Sequence, residues 1–213
     1  MLLATALLLS EGLERTAAGE ALEESLTAAL SASRRPSEHV LSLLRSGRSV
    51  VTANKQLVAR HGAELFAAAA AGGAQLRFEA SVCAAIPVIK VLRESLVVTN
   101  VHRVLGIVNG TTNFMLSAMT EGQSYAEALA EAQRLGYAEA DPTDDVGGLD
   151  AAAKMAILAT VAFGTRVPLE WVEVQGIEAL REEHVEAARA LDMSRPRLRR
   201  AARSQCCARA TSS

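Results

Sequence analysis

The stretch GLDAAAKMAILATVAFG, residues 148–164, constrains this chain more than any other. Between its two glycines it is apolar almost all round, so as a helix it has no solvated face and must be buried. Yet it carries Asp150 and Lys154, which at i and i+4 are neighbours on one helical face. On an exposed helix such a pair contributes a few tenths of a kcal/mol. Partly buried, with further acids beside it, the same pair is costly unless it serves a purpose. The preceding GYAEADPTDDVG adds Glu139, Asp141, Asp144 and Asp145. Three readings follow: a solvated connection, a cation site, or the polar half of an active site. The order D-P-T-D-D-V-G-G-L-D argues against a calcium loop, because it lacks the alternating acids, the central glycine and the distant bidentate glutamate.

The core that encloses this helix has few large pieces to work with. Half of the 213 residues are apolar but only 3% are aromatic, so alanine, leucine and valine must build it. The length suits one full domain or two small ones. A net charge of −2 gives no reason to expect a nucleic-acid partner. After Asp192 there is no acid, while Arg195, Arg197, Arg199, Arg200, Arg203 and Arg209 follow, a composition that predicts a disordered basic tail over 193–213. Cys83 stands alone and Cys206 adjoins Cys207, with no disulfide framework, which favours a reducing compartment. Cys83 reads as a small packed side chain. The apolar opening MLLATALLLS is too short to span a bilayer, and the glutamates from Glu11 to Glu24 argue against a transit peptide. The expected location is cytoplasmic, without membrane association, with a plastid as the variant in a photosynthetic eukaryote.

Periodicity predicts a helix over 11–32, a break at Pro36, and a short helix over 38–47 capped by Ser37. RSVVTA (48–53) reads as a buried strand. Asn54 caps the next helix, with Leu57, Val58, Leu65 and Phe66 inward and Gly72–Gly73 at its end. A strand over 75–82 follows, and the order helix, strand, helix, strand predicts a parallel α/β layer. Further on come a helix over 87–95, a strand over 100–108, a turn over 109–113 and a helix to Thr120. Ser124 and Glu127 then form a capping box, and Gly136 closes the helix it opens. A strand over 168–180 with Trp171 and a helix from Arg181 complete the pattern.

Two further motifs are candidates for chemistry. VVTANK (50–55) places Lys55 where a strand gives way to a helix N-terminus, the position at which open α/β sheets bind ligands and helices favour anions. By itself, a lone lysine at a strand end is more often surface filler. GIVNGTTN (106–113) offers close backbone approach at Gly106 and Gly110 and hydrogen bonds from Asn109 and the threonines, or is simply a turn.

Taken in order, VVTANK, FEASV…IP, RVLGIVNGTTNFML, EALAEAQRLGYAEADPTDDVGGLDAAAKMAILA and FGTRV resemble homoserine dehydrogenase over roughly residues 36–190. The resemblance implies an α/β fold. In it, a remnant of a Rossmann-type dinucleotide-binding domain (36–75) precedes an α+β substrate and dimerisation domain (76–192), whose mixed sheet is covered by helices. Residues 1–35 form a divergent, helical segment. It implies oxidoreduction of a CH–OH group, interconverting L-homoserine and aspartate 4-semialdehyde with NADP or NAD in threonine, methionine and isoleucine synthesis.

Residue by residue, the resemblance makes Lys154 the proton donor or acceptor, arranged by Asp145 and Asp150. Glu139 is a substrate ligand, with Asn109, Gly106 and Tyr137 lining the same site. Lys55, Thr52 and Ala53 meet the cofactor. A sodium ion would be held by Glu79, Val82, Ala84 and Ile86, although Cys83 and Ala85 stand where glycines are usual and make positive φ harder to reach. A homodimer is expected, and threonine feedback is not. The family's G-x-G-x-x-G turn does not occur before Val50, so the expectation is a truncated chain; the competing reading is an inactive fragment that keeps only the fold and the dimer interface.

Overall fold

The computed structural model describes residues 36–181, together with 183, 184, 187 and the pair 210–211. They fall into two compact units that divide between Ser95 and Leu96. The predicted helix over 11–32 lies outside the described residues, as does most of the helix from Arg181 and most of the basic tail.

The first unit opens with α1 (Pro36–Arg45), whose buried Val40, Leu41 and Leu44 face α2 (Lys55–Gly72). Between them runs β1 (Val50–Val51), which pairs in parallel with β2 (Leu76–Arg77), Val50 opposite Leu76. This is the expected β-α-β layer. Asn54 caps α2 as its sequence position requires, accepting from Leu57 N at 3.0 Å. At the far end Gly73 takes φ 63° and closes the helix. Gly72 has a different reason to be glycine: a Cβ there would stand 2.0 Å from the Leu44 carbonyl oxygen, so the α1 and α2 backbones meet where no side chain fits.

The strand expected over 75–82 is shorter than its alternation suggested. Asn54 turns the chain into α2 just past β1, so the ladder ends with the Thr52 N–H donating to the Arg77 carbonyl at 2.8 Å. The chain then folds into a 3₁₀ turn, Glu79–Ser81, and the predicted helix over 87–95 becomes α3 (Val88–Lys90) followed by a π-helical segment, Val91–Ser95.

The second unit contains β3 (Arg103–Val104), α4 (Gly110–Thr120), α5 (Tyr125–Arg134), the single turn α6 (Thr143–Val146), α7 (Leu149–Phe163), a 3₁₀ turn Leu169–Trp171, and β4 (Ala210–Thr211). One core joins α4, α5, the loop after α5 and α6 through Met115, Met119, Ala128, Ala132, Ala138 and Val146, with Ile177 completing it. α7 runs between two left-handed glycines, Gly148 (φ 83°) and Gly164 (φ 61°), and buries Ala151 to Ala153 and Met155 to Ala159, as its apolar circumference demands. The Ser124–Glu127 capping box of α5 is formed in both directions.

The strand and tail expectations for this unit change. The strand over 100–108 contracts to two residues, antiparallel to β4 with Arg103 opposite Thr211, because Leu105 to Ile107 lie exposed and unladdered on the way to α4. Of the mixed sheet, the described residues contain that antiparallel pair alone. Ala210 and Thr211, within the tail expected to be disordered, supply its second strand. The segment 168–180 holds no strand among the described residues. It lies against the turn between α6 and α7: Ile177 N donates to the Val146 carbonyl at 2.8 Å, and a Cβ on Gly176 would sit 2.6 Å from that same oxygen. Trp171 is 74% exposed.

Candidate active site

The Asp150–Lys154 pair forms as the helical spacing predicts. Lys154 Nζ donates to Asp150 Oδ2 at 2.7 Å, with 17% and 7% of the two side chains exposed. Lys154 Nζ also donates to the Val108 carbonyl at 2.6 Å, so the chain before α4 holds the ammonium as well. Asp150 stands in the first turn of α7, where the helix dipole favours a negative charge.

Asn109 ties this pair to the acidic loop. It is the N-cap of α4, its Oδ1 accepting from Thr112 N at 2.8 Å and from Thr112 Oγ1 at 2.9 Å. Its amide nitrogen donates to Asp145 Oδ1 at 2.6 Å and to Asp150 Oδ2 at 2.8 Å. A primary amide has two donors and two acceptor positions, and all four have partners here. The orientation is therefore unambiguous, since a flipped amide would turn its oxygen toward two carboxylates. Asp145, Asp150, Lys154 and Asn109 are thus one connected cluster.

The other residues implied for the substrate end, Glu139, Tyr137 and Gly106, lie on the segments that lead into α6 and α4. Glu139 and Tyr137 are exposed in the loop after α5, and Gly106 is exposed on the approach to α4. Gln133 Nε2 donates to the Glu139 carbonyl at 3.2 Å. Thr111 Oγ1 donates to the Tyr137 carbonyl at 2.6 Å, and the Tyr137 ring lies 4.9 Å from that of Phe114, so α4 seats the loop that carries Glu139. Asp141 faces the first turn of α6. The Thr143 hydroxyl and then its backbone N–H hold that carboxyl below the usual aspartate range.

In the first unit, Thr52 is 1% exposed. Its hydroxyl accepts from Asn54 N at 3.1 Å and its carbonyl accepts from Ser81 Oγ at 3.1 Å. The end of β1 is thereby fixed from both sides, which places Ala53 and Lys55, both half-buried, at the mouth of α2. The chemistry of that mouth suits an anionic nucleotide: an 18-residue helix presents its positive end, with a lysine as its first residue. Sodium fits less well. Glu79 accepts from Ile89 N and Lys90 N at 3.0 and 2.9 Å, and the Ile86 carbonyl accepts from Val88 N at 2.8 Å, so two of the four implied ligands already serve the chain. Positive φ occurs at Cys83 (59°) and Ala84 (46°), one of the two positions expected to resist it.

Sequence reasoning did not single out the Val108 carbonyl or Phe114, and it offered Thr112 only as one of the hydrogen-bonding threonines of a turn. Asn-x-x-Thr is an N-cap pattern in which residue 112 supplies the capped N–H, and that signal was readable. The Val108 carbonyl and the Phe114 ring carry no sequence signal, because their roles come from long-range contacts.

The homoserine dehydrogenase family model matches residues 87–208, and the model of the homoserine dehydrogenase NAD-binding domain matches residues 16–79. Both extend past the span marked by the motifs. The homoserine dehydrogenase of Corynebacterium glutamicum is 57% identical over 154 residues, covering 72% of this chain and 35% of that protein. That of Bacillus subtilis is 49% identical, covering 72% and 36%. Among solved structures, the homoserine dehydrogenase of Thiobacillus denitrificans superposes with a TM-score of 0.72 at 47% identity, covering 74% of this chain and 37% of that one. The chain therefore spans little more than a third of the length of these relatives. With a family match over more than half of its 213 residues, the chain belongs to the homoserine dehydrogenase family.

Proposed function

We propose that the chain carries the substrate half of a homoserine dehydrogenase site and takes part in the NAD(P)-linked interconversion of L-homoserine and aspartate 4-semialdehyde. The observation that carries this reading is the third N–H of Lys154. Among the described residues its ammonium is held by the Val108 carbonyl and by Asp150, and the remaining proton is left for a substrate oxygen. A bound nicotinamide supplies or accepts the hydride at carbon. Reduction of an aldehyde then requires a proton at oxygen, and a positioned ammonium both delivers it and stabilises the alkoxide that develops. In the oxidative direction Lys154 takes the hydroxyl proton after giving up its own.

An amino-acid substrate also has an ammonium and a carboxylate to place. Glu139, exposed in the loop after α5, suits the ammonium. Gly110, the first residue of α4, is exposed and has nothing within 4 Å of where a Cβ would stand, so the positive end of that helix is open to the carboxylate. Tyr137 and Gly106, both exposed, are the remaining substrate-end residues of this reading.

The cofactor reading rests on Thr52, Ala53 and Lys55 at the mouth of α2. It agrees with a structural relative, an archaeal homoserine dehydrogenase solved with NADPH, at a TM-score of 0.62 and 38% identity over 68% of this chain and 45% of that one. A homodimer accompanies the reading. Among the described residues no helix is long and apolar enough to cross a membrane.

Titration of the purified chain against NADPH by nicotinamide fluorescence tests this. Saturable binding that weakens in Lys55→Ala is expected. No binding at millimolar cofactor would reduce the chain to a fold that retains the substrate residues without the reaction.

A further inference from the structure

We infer that Asn109 is a positioning residue for Lys154, acting through Asp150, and that it does not touch substrate itself. The inference rests on the site proposed above but concerns only how that site is held. Three features of the geometry carry it.

First, Asn109 has no hydrogen-bonding position left for a ligand, because its two donors and two acceptor sites all meet protein partners. It is 6% exposed. Secondly, the Asp150 oxygen that receives the Asn109 amide is the same oxygen that receives Lys154, at 2.8 and 2.7 Å. Asp150 cannot rotate away without breaking both bonds, so the amide fixes the carboxylate that fixes the lysine. Thirdly, the second amide hydrogen goes to Asp145, which turns toward the cluster from α6. Asp145 Oδ1 and Asp150 Oδ2 thus share one neutral donor between them. Without it, two carboxylates would face one another beside a single lysine, and Lys154 would be drawn toward whichever stood free. Asp145 on α6 and Asp150 and Lys154 on α7 are charged groups of the elements packed around the amide.

Asn109 is also a helix cap, and the test must separate the two roles. Serine and aspartate cap helices about as well as asparagine. Asn109→Ser retains the cap but is too short to reach both carboxylates. Asn109→Asp retains the cap and turns an acceptor toward them. The sequence offers a readout that needs neither cofactor nor turnover, since the chain has three lysines, Lys55, Lys90 and Lys154. Lys90 is exposed and serves as the internal reference. Reductive methylation of the full chain, followed by peptide mass spectrometry, gives the rate at Lys154 relative to Lys90.

The expected result is slow modification of Lys154 in the parent chain. The relative rate rises on the order of tenfold in Asn109→Ser, the factor carried by a hydrogen bond to a charged group, and less in Asn109→Asp, whose added carboxylate attracts the ammonium. Helix content, followed by circular dichroism, stays unchanged in Asn109→Ser. A relative rate in Asn109→Ser equal to that of the parent would overturn the inference and leave Asn109 a cap alone; that variant decides the matter even if Asn109→Asp does not fold. Absence of turnover in the parent chain would count against the proposed reaction without altering this result.

Discussion

Asn109 and Lys154, far apart in sequence, donate to one and the same oxygen of Asp150, at 2.8 and 2.7 Å. One comes from the cap of α4 and the other from the second turn of α7, so the two helices are registered against each other at a carboxylate. The consequences of that arrangement can be measured.

Replacing Asp150 by asparagine keeps its size but removes the charge that accompanies a largely buried ammonium. Lys154 would then keep the Val108 carbonyl as its protein partner at full strength. A loss of about 2 kcal/mol is expected, reduced from that of a fully buried pair because 17% of the Lys154 side chain is exposed. Urea denaturation monitored by circular dichroism, with an unchanged m-value, checks it.

Glu139 lies outside the bonded cluster and is exposed, so Glu139→Gln is expected to leave the fold intact. If it pairs with the substrate ammonium, the variant raises KM for homoserine by about tenfold or more while kcat changes less. Steady-state kinetics separates the two.

The loop and the capping box make a pH prediction. Glu127 is held below its ordinary value, first by the Ser124 backbone N–H and then by its hydroxyl, and Asp141 by Thr143. Both carboxyls are depressed in the folded state. The stability they contribute is therefore complete above their unfolded values and is lost as pH falls through the folded ones. Ser124→Ala should lower Tm by about 3 °C near neutral pH, with the difference from the parent shrinking as the pH drops below the ordinary glutamate range. Thermal melts across that interval decide it.

Gly176 is where the segment after Trp171 meets the turn that starts α7. A Cβ there would lie 2.6 Å from the Val146 oxygen and 3.0 Å from Gly147 Cα. Gly176→Ala should cost about 2 kcal/mol, because backbone on both sides must shift. Calorimetric unfolding measures it.

What was legible in the sequence was local. Asn54 and Ser124 read as caps because a cap is a contact within one turn, and Asp150 and Lys154 read as a pair because the helical period brings them together. Strands were over-extended because alternation reports a half-buried chain and says nothing of the partner. QLRFEASV alternates, yet its neighbour leaves the ladder at Thr52. Asn109–Gly110 read as a turn because Asn-Gly usually signals one. Its long-range bonds to Asp145 and Asp150 are what make it part of the site, and no spacing announces those.

The central claim is that Lys154 moves the proton. The most direct measurement is the rate of nicotinamide reduction by the chain with L-homoserine, compared with that of Lys154→Ala under saturating cofactor. The account predicts that the variant loses about 10³-fold in kcat, within the range of a general acid–base group, while NADPH affinity changes little. A Lys154→Ala chain that turns over at the parent rate would contradict it.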